Sequence, residues 1–249
     1  MGRITIVAKR DYREIRHSAA FRVMAIIAAA VTVAAAAGIS VALNLQSWLG
    51  QPQARPLLEL FVGLVLYFLP LFVLIAFVWA FANLPVTKEK VNGNIEALMA
   101  TPLTPHELWL GKSIAIYMPG YAIAALATMI VVLVMHLAAI IPAGYGFVLP
   151  VPALVLGLII NPLLFLGLLL FMISFSLVNN PDIALAPALI LGFGLMMGMP
   201  AGLATGALDL NAWSFALWYL AGAVVILALV LYLSRMLTRQ NIVLSSKGD

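Results

Sequence analysis

"LLELFVGLVLYFLPLFVLIAFVWAFA", residues 57–82, carries one charged side chain, Glu59, in its whole length. About 20 mostly apolar residues suffice to cross a bilayer as a helix. This stretch exceeds that length, and its neighbours repeat the pattern. The spacing predicts spans over about 22–43, 57–83, 108–135, 150–178, 183–204 and 213–234. Of the 249 residues, 65% are hydrophobic and only 9% charged, and mean hydropathy is +1.13. A soluble domain carries about 25% charge. This chain has too little polar surface to cover itself in water. The expected fold is an all-α integral membrane protein: one transmembrane domain, residues 1–249, of six helices.

Charge sets the expected orientation. Lys and Arg collect in the cytoplasmic loops of membrane proteins. If both termini and the loop at 84–107 share one side, every Lys and Arg except Arg55 falls on that side. Both termini are therefore expected in the cytoplasm, in a multi-pass protein of the plasma membrane. The net charge of +4 then reports topology. No basic stripe interleaved with stacking aromatics points to nucleic acid. There is no cysteine, which excludes disulfides and thiolate metal sites. His17, His106 and His136 are too far apart for a metal site. No span has an Asp, Glu, Lys or Arg at mid-depth, which argues against ion-coupled transport. Nor is there an acid–base pair for intramembrane catalysis.

Between the second and third spans lies "KEKVNGNIEALMATPLTPHELWLGK", residues 88–112. Thr104-Pro105-His106-Glu107 has the form of a capping box with Pro at the first helical position. Leu103 and Leu108 take the hydrophobic-staple positions. The third span therefore starts at a defined point. Upstream, Asn94 can cap a short helix with Glu96 in its first turn, and Gly93 suits a left-handed stop before it. Pro102 limits that helix on the other side. Ile95, Leu98 and Met99 share one face of it. This reads as a short amphipathic helix between residues 94 and 101, lying on lipid or meeting a soluble partner.

The order of Glu89, Gly93, Glu96, Leu98, Thr101, Pro102, Gly111 and Lys112 resembles the signature of ABC-2-type transporter permeases. The specific matches cover about 25 residues, while the six-helix count and basic C-terminal tail are similar in organisation. One departure is Asn94, where Thr is commoner. The resemblance implies that 84–107 is a coupling segment contacting a separate ABC ATPase subunit. The residues it assigns to that contact are Glu89, Gly93, Glu96, Leu98, Thr101 and Pro102, and the apolar face adds Ile95 and Met99. It also implies a homo- or heterodimer of permeases working as an exporter, with ATP used only through the partner and no cofactor on this chain. "LGKS" at 110–113 does not make a P-loop, because His106 stands where the motif needs Gly. The other reading is a membrane scaffold or assembly factor whose cytoplasmic helix binds a partner without transport.

Three further patterns carry expectations. Residues 1–20 form an amphipathic interfacial helix, with Ile4, Ala8, Tyr12, Ile15 and Ala19 as its apolar stripe. Asn161-Pro162 breaks the fourth span, since Pro162 cannot donate to the Leu158 carbonyl. Asn161 is expected to satisfy freed backbone groups there, or else to mark a substrate path. Gly194, Gly198, Gly202 and Gly206 recur every fourth residue. That spacing suits close helix packing within the subunit, or a dimer face or gate.

Overall fold

A bilayer leaves no water for backbone groups, so apolar stretches of this length fold as helices that satisfy themselves. The computed structural model describes residues 2–47, 49–51, 54–81, 98, 100–178 and 181–242, with the backbone alone at 181–185 and 187–189. Among these residues there is no strand. Helix α1 is Arg3–His17, α2 is Ala19–Asn44 and α3 is Arg55–Phe81. Helix α4, Pro105–Met135, ends in a π turn, His136–Ile140. Helix α5, Val151–Val178, contains a π segment at Leu156–Ile160. Helix α6 is Pro181–Ala204 and α7 is Trp213–Leu233.

Five of these, α2, α3, α4, α5 and α7, are long and apolar enough to cross a membrane. This is the architecture of a multi-pass membrane protein.

Helix α4 is the centre of the bundle and packs against α1, α2, α3 and α5. Helix α3 runs beside α4, α5 and α6, and α7 closes the far side of α5. Close approach is built from small residues. The buried side of α2 carries Thr32, Ala36 and Ser40 one turn apart. A Cβ on Gly120 of α4 would sit 3.0 Å from the Phe77 ring of α3. At the opposite end from α1, buried His136 joins the π turn to the chain entering α5. Its Nδ1 is 2.7 Å from the Val132 carbonyl and its Nε2 is 2.9 Å from the Val148 carbonyl. Its ring stacks on Phe147 with centroids 4.2 Å apart.

The face that α1 buries differs from the expected stripe. Val7, Asp11 and Ile15 are buried against α4, whereas Tyr12 and Ala19 are exposed. Ile4, Val7, Asp11 and Ile15 also follow helical spacing, but only if an Asp is allowed inside.

Candidate functional site

The two ends of the chain meet the loop that carries the motif. The Thr104 amide donates to Glu107 Oε2 at 2.8 Å, and the Glu107 amide donates to Thr104 Oγ1 at 3.2 Å. This is the capping box read in the sequence, and Leu108 beyond it is buried. Just upstream, Thr101-Pro102-Leu103 forms a corner whose carbonyls face outward. Arg3 of α1 donates to the Pro102 carbonyl at 2.8 Å and lies 4.0 Å from the Glu107 carboxylate. Arg239 donates to the Leu103 carbonyl at 2.8 Å and to that of Thr101 at 3.3 Å. Arginine suits this task, because its planar fork carries several donors in fixed geometry. The N-terminal helix, the C-terminal segment and the corner therefore share one end of the bundle.

Leu98 is half-buried and packs on the bundle's own core, as does Leu103. The Thr101 hydroxyl donates back to the Leu98 carbonyl. Glu89, Gly93, Ile95, Glu96 and Met99 lie outside the described residues.

Gly111 and Lys112, the last residues of the motif, hold α1. A Cβ on Gly111 would lie 2.6 Å from Val7 Cγ1 and 3.2 Å from the Ile4 carbonyl oxygen. Only glycine lets α1 come this close. Lys112 Nζ then reaches Asp11 Oδ2 at 3.1 Å, with the two side chains 1% and 4% exposed. Arg10 Nε approaches the other Asp11 oxygen at 3.4 Å from the surface. A buried pair of this kind adds little net stability over an apolar pair, but it penalises losing one partner. Lys112 is thus engaged inside the protein on α1. In the sequence Lys112 stands out only as a charge and a motif position, and Asp11 gives no signal of its burial.

Asn161 and Pro162 mark a second node at mid-bundle. The Leu158 carbonyl left bare by Pro162 accepts from the Tyr121 hydroxyl of α4 at 3.1 Å. Asn161, expected to fill that role, instead donates across to the Tyr67 carbonyl of α3 at 3.2 Å. One turn earlier, a Cβ on Gly157 would lie 1.9 Å from the Leu66 carbonyl oxygen. Pro70 has no N–H to give that carbonyl, so the glycine Cα–H faces an acceptor its own helix leaves open. The broken points of α3 and α5 therefore interlock. Asn161 Oδ1 is buried without a partner among the described residues, and the buried Tyr67 and Tyr219 hydroxyls face each other.

Among the described residues, the glycine series in α6 divides into an open half and a half at the helix end. Gly194 and Gly198 are exposed, and a Cβ on either meets no described atom within 4 Å. Gly202 and Gly206 belong to the end of α6. A Cβ on Gly202 would strike Leu208, and Gly206 has φ +71°, the left-handed conformation that closes a helix. Contact with α3 is made off the series, by Gly192 against Ile75 and by the Phe193 ring edge-on to Trp79.

Between α2 and α3 runs an open groove of 580 Å³, which Val131 of α4 and Met196 of α6 also line. Val31, Ile39, Phe61, Phe68 and Phe72 line it, with Gln46 as its polar residue at the end of α2. Among the described residues no three His, Asp or Glu side chains are grouped to hold a metal ion.

Fold and site together define a helical, multi-pass membrane protein in which Arg3 and Arg239 bind one loop corner. No family model, curated protein or solved structure matches the chain. The likeness to ABC-2 permeases stands on residues 88–112 and the helix order alone.

Proposed function

We propose that this chain is the permease subunit of an ABC-2-type ATP-driven exporter, acting as a dimer beneath which separate ATPase subunits dock. The observation that carries the reading is the grip of Arg3 and Arg239 on residues 101–103, next to the segment with the family-like motif. A push delivered by ATPase closure at residues 94–101 would arrive at that corner. From there it would pass into α4 through the Thr104 cap, into α1 through Arg3, and into the C-terminal segment through Arg239. Bundles that re-pack as rigid bodies can turn such a push into altered access.

In this account α6 also crosses the membrane as the fifth of six spans, both termini are cytoplasmic and the membrane is the plasma membrane. The open face at Gly194 and Gly198 is where a second copy would approach. The apolar groove falls within the usual size of ligand pockets, about 300–1,000 Å³, and favours a hydrophobic or amphipathic substrate. ATP is hydrolysed by the partner.

The test is co-expression with an ABC ATPase encoded beside this chain. The two should co-purify, and ATP hydrolysis should depend on the permease, while the permease alone stays at background. Robust hydrolysis by the chain alone would overturn the reading. Stable association without ATP-dependent substrate movement would make the chain a scaffold instead.

A further inference from the structure

Helix α1 buries one face against protein and leaves Ile6 and Tyr12 exposed. Val7, Asp11 and Ile15 are buried on α4, and Ile4 is half-buried beside them. The opposite side presents Lys9, Arg13 and Arg16 at i, i+4 and i+7, all exposed. Among the described residues none of these three has a carboxylate within ion-pair distance. Of the nearby acids, Asp11 is engaged by Lys112 and Arg10 and Glu107 by Arg3 and Thr104, while Glu14 is an exposed carboxylate on the same helix.

The depth of this stripe is set by covalent geometry. A single residue, Ser18, separates α1 from the spanning helix α2. The Ser18 amide donates to the Ile15 carbonyl at 3.0 Å, and its hydroxyl accepts from the Phe21 amide at 3.1 Å. That corner is therefore fixed. Arg16 precedes Ala19, where α2 begins, by three residues, and Arg22, also exposed, lies in the first turn of α2. With α2 crossing a membrane from Ala19, Arg16 and Arg22 fall within one turn of its end, the level at which phosphates lie. An interfacial helix ordinarily turns its apolar stripe toward lipid. Here α4 takes Val7 and Ile15, while Ile6 and Tyr12 stay exposed on the flanks of the cation stripe.

We propose that Lys9, Arg13 and Arg16, with Arg22, form a docking face for the headgroups of anionic phospholipids. The inference rests on the chain crossing a membrane and is independent of any ATPase partner. Each cation near an anionic surface strengthens association about fivefold at low salt. Removing the three on α1 should therefore cost roughly 100-fold, and the effect should shrink as salt shortens the screening length.

The chain has no cysteine, so Tyr12→Cys, exposed beside the stripe, takes one fluorescent label. The full-length protein is placed in phosphatidylcholine nanodiscs, and energy transfer to labelled phosphatidylglycerol or labelled phosphatidylcholine is titrated. The expected result is clear selection of phosphatidylglycerol, weakened by salt and lost in the Lys9→Gln, Arg13→Gln, Arg16→Gln triple variant. The charge-preserving Lys9→Arg, Arg13→Lys, Arg16→Lys variant should retain it, which separates charge from folding. Equal transfer to both lipids would overturn the proposal, as would selection unchanged in the glutamine variant. Binding of an acidic peptide to the stripe in place of lipid selection would assign the face to a protein partner and overturn it too.

Discussion

Helix α1 hangs on an ion pair whose two members are not equivalent. In Asp11→Leu, the Lys112 ammonium, 1% exposed, loses the carboxylate 3.1 Å away. Breaking a buried pair from one side costs about 3–5 kcal/mol. In Lys112→Met, Asp11 keeps Arg10 at 3.4 Å, and that guanidinium is half-exposed and able to follow it. The second variant should therefore lose less than the first. Asp11→Leu combined with Lys112→Met leaves two apolar side chains of suitable size, which is often neutral or stabilising by about 1–4 kcal/mol. The assay is limited trypsin digestion of the purified chain, read at Lys9, Arg10 and Arg13. These are exposed, but cleavage requires α1 to leave α4 and unravel. When cleavage is slow, its rate follows the population of the open form. The full cost corresponds to a rise of about two to nearly four decades, levelling off once α1 is mostly open. The order should be Asp11→Leu fastest, Lys112→Met next, and wild type and the double variant slowest. If the two single variants are cut alike, or if the double variant is as sensitive as Asp11→Leu, the buried pair is not what holds α1.

Further outcomes follow from the mid-bundle node and from topology. Tyr121→Phe removes the donor to the Leu158 carbonyl and should cost about 1 kcal/mol in thermal or denaturant unfolding. Made together with Pro162→Ala, which restores an N–H to that carbonyl, it should cost clearly less. Equal cost in both backgrounds would mean the hydroxyl does not serve the proline break. Gly157→Ala places a methyl 1.9 Å from a backbone oxygen that cannot swing aside, so it should destabilise by about 3 kcal/mol or more, where Gly198→Ala is near neutral. Tags at Lys247 and at residues 84–92 should react only from the cytoplasm, and one near Gln53 only from outside. A signal for Lys247 from outside would invert the charge-based orientation.

What could be read from the chain, and what could not, divides along sequence distance. The Thr104–Glu107 box is a contact between residues three apart, and it forms as its residues require. The long helices are legible for a similar reason, because apolar length needs no partner to be recognised. The buried face of α1 was not, since hydrophobic periodicity assigns Asp11 to solvent. Its place inside depends on Lys112, a hundred residues away, and on the absence of a side chain at Gly111. The same holds for Pro162. That its loss of an N–H bares the Leu158 carbonyl follows from local geometry, whereas the donor that answers it, Tyr121, comes from another helix. The α6 glycines carry a third lesson. Four-residue spacing marks a smooth helix face, and only the tertiary arrangement tells whether anything in the chain meets it. Gly111 and Lys112 were matched as family-like positions, but the chemistry that makes them matter locally was visible only once α1 was in place. Arg3 and Arg239 gave no sequence signal beyond charge, because their partners are backbone carbonyls.

The central claim is that residues around 94–101 pass force from an ATPase to the bundle. Leu98 is partly committed to the bundle core, so the direct probe belongs three residues earlier in the sequence, at Ile95. A single cysteine there, in a chain with no other, should crosslink to the co-expressed ATPase and become protected from thiol reagents when the ATPase binds. Protection should vary with nucleotide. A cysteine that stays fully reactive and uncrosslinked in the co-purified complex would contradict the coupling role and leave this segment as a surface anchor.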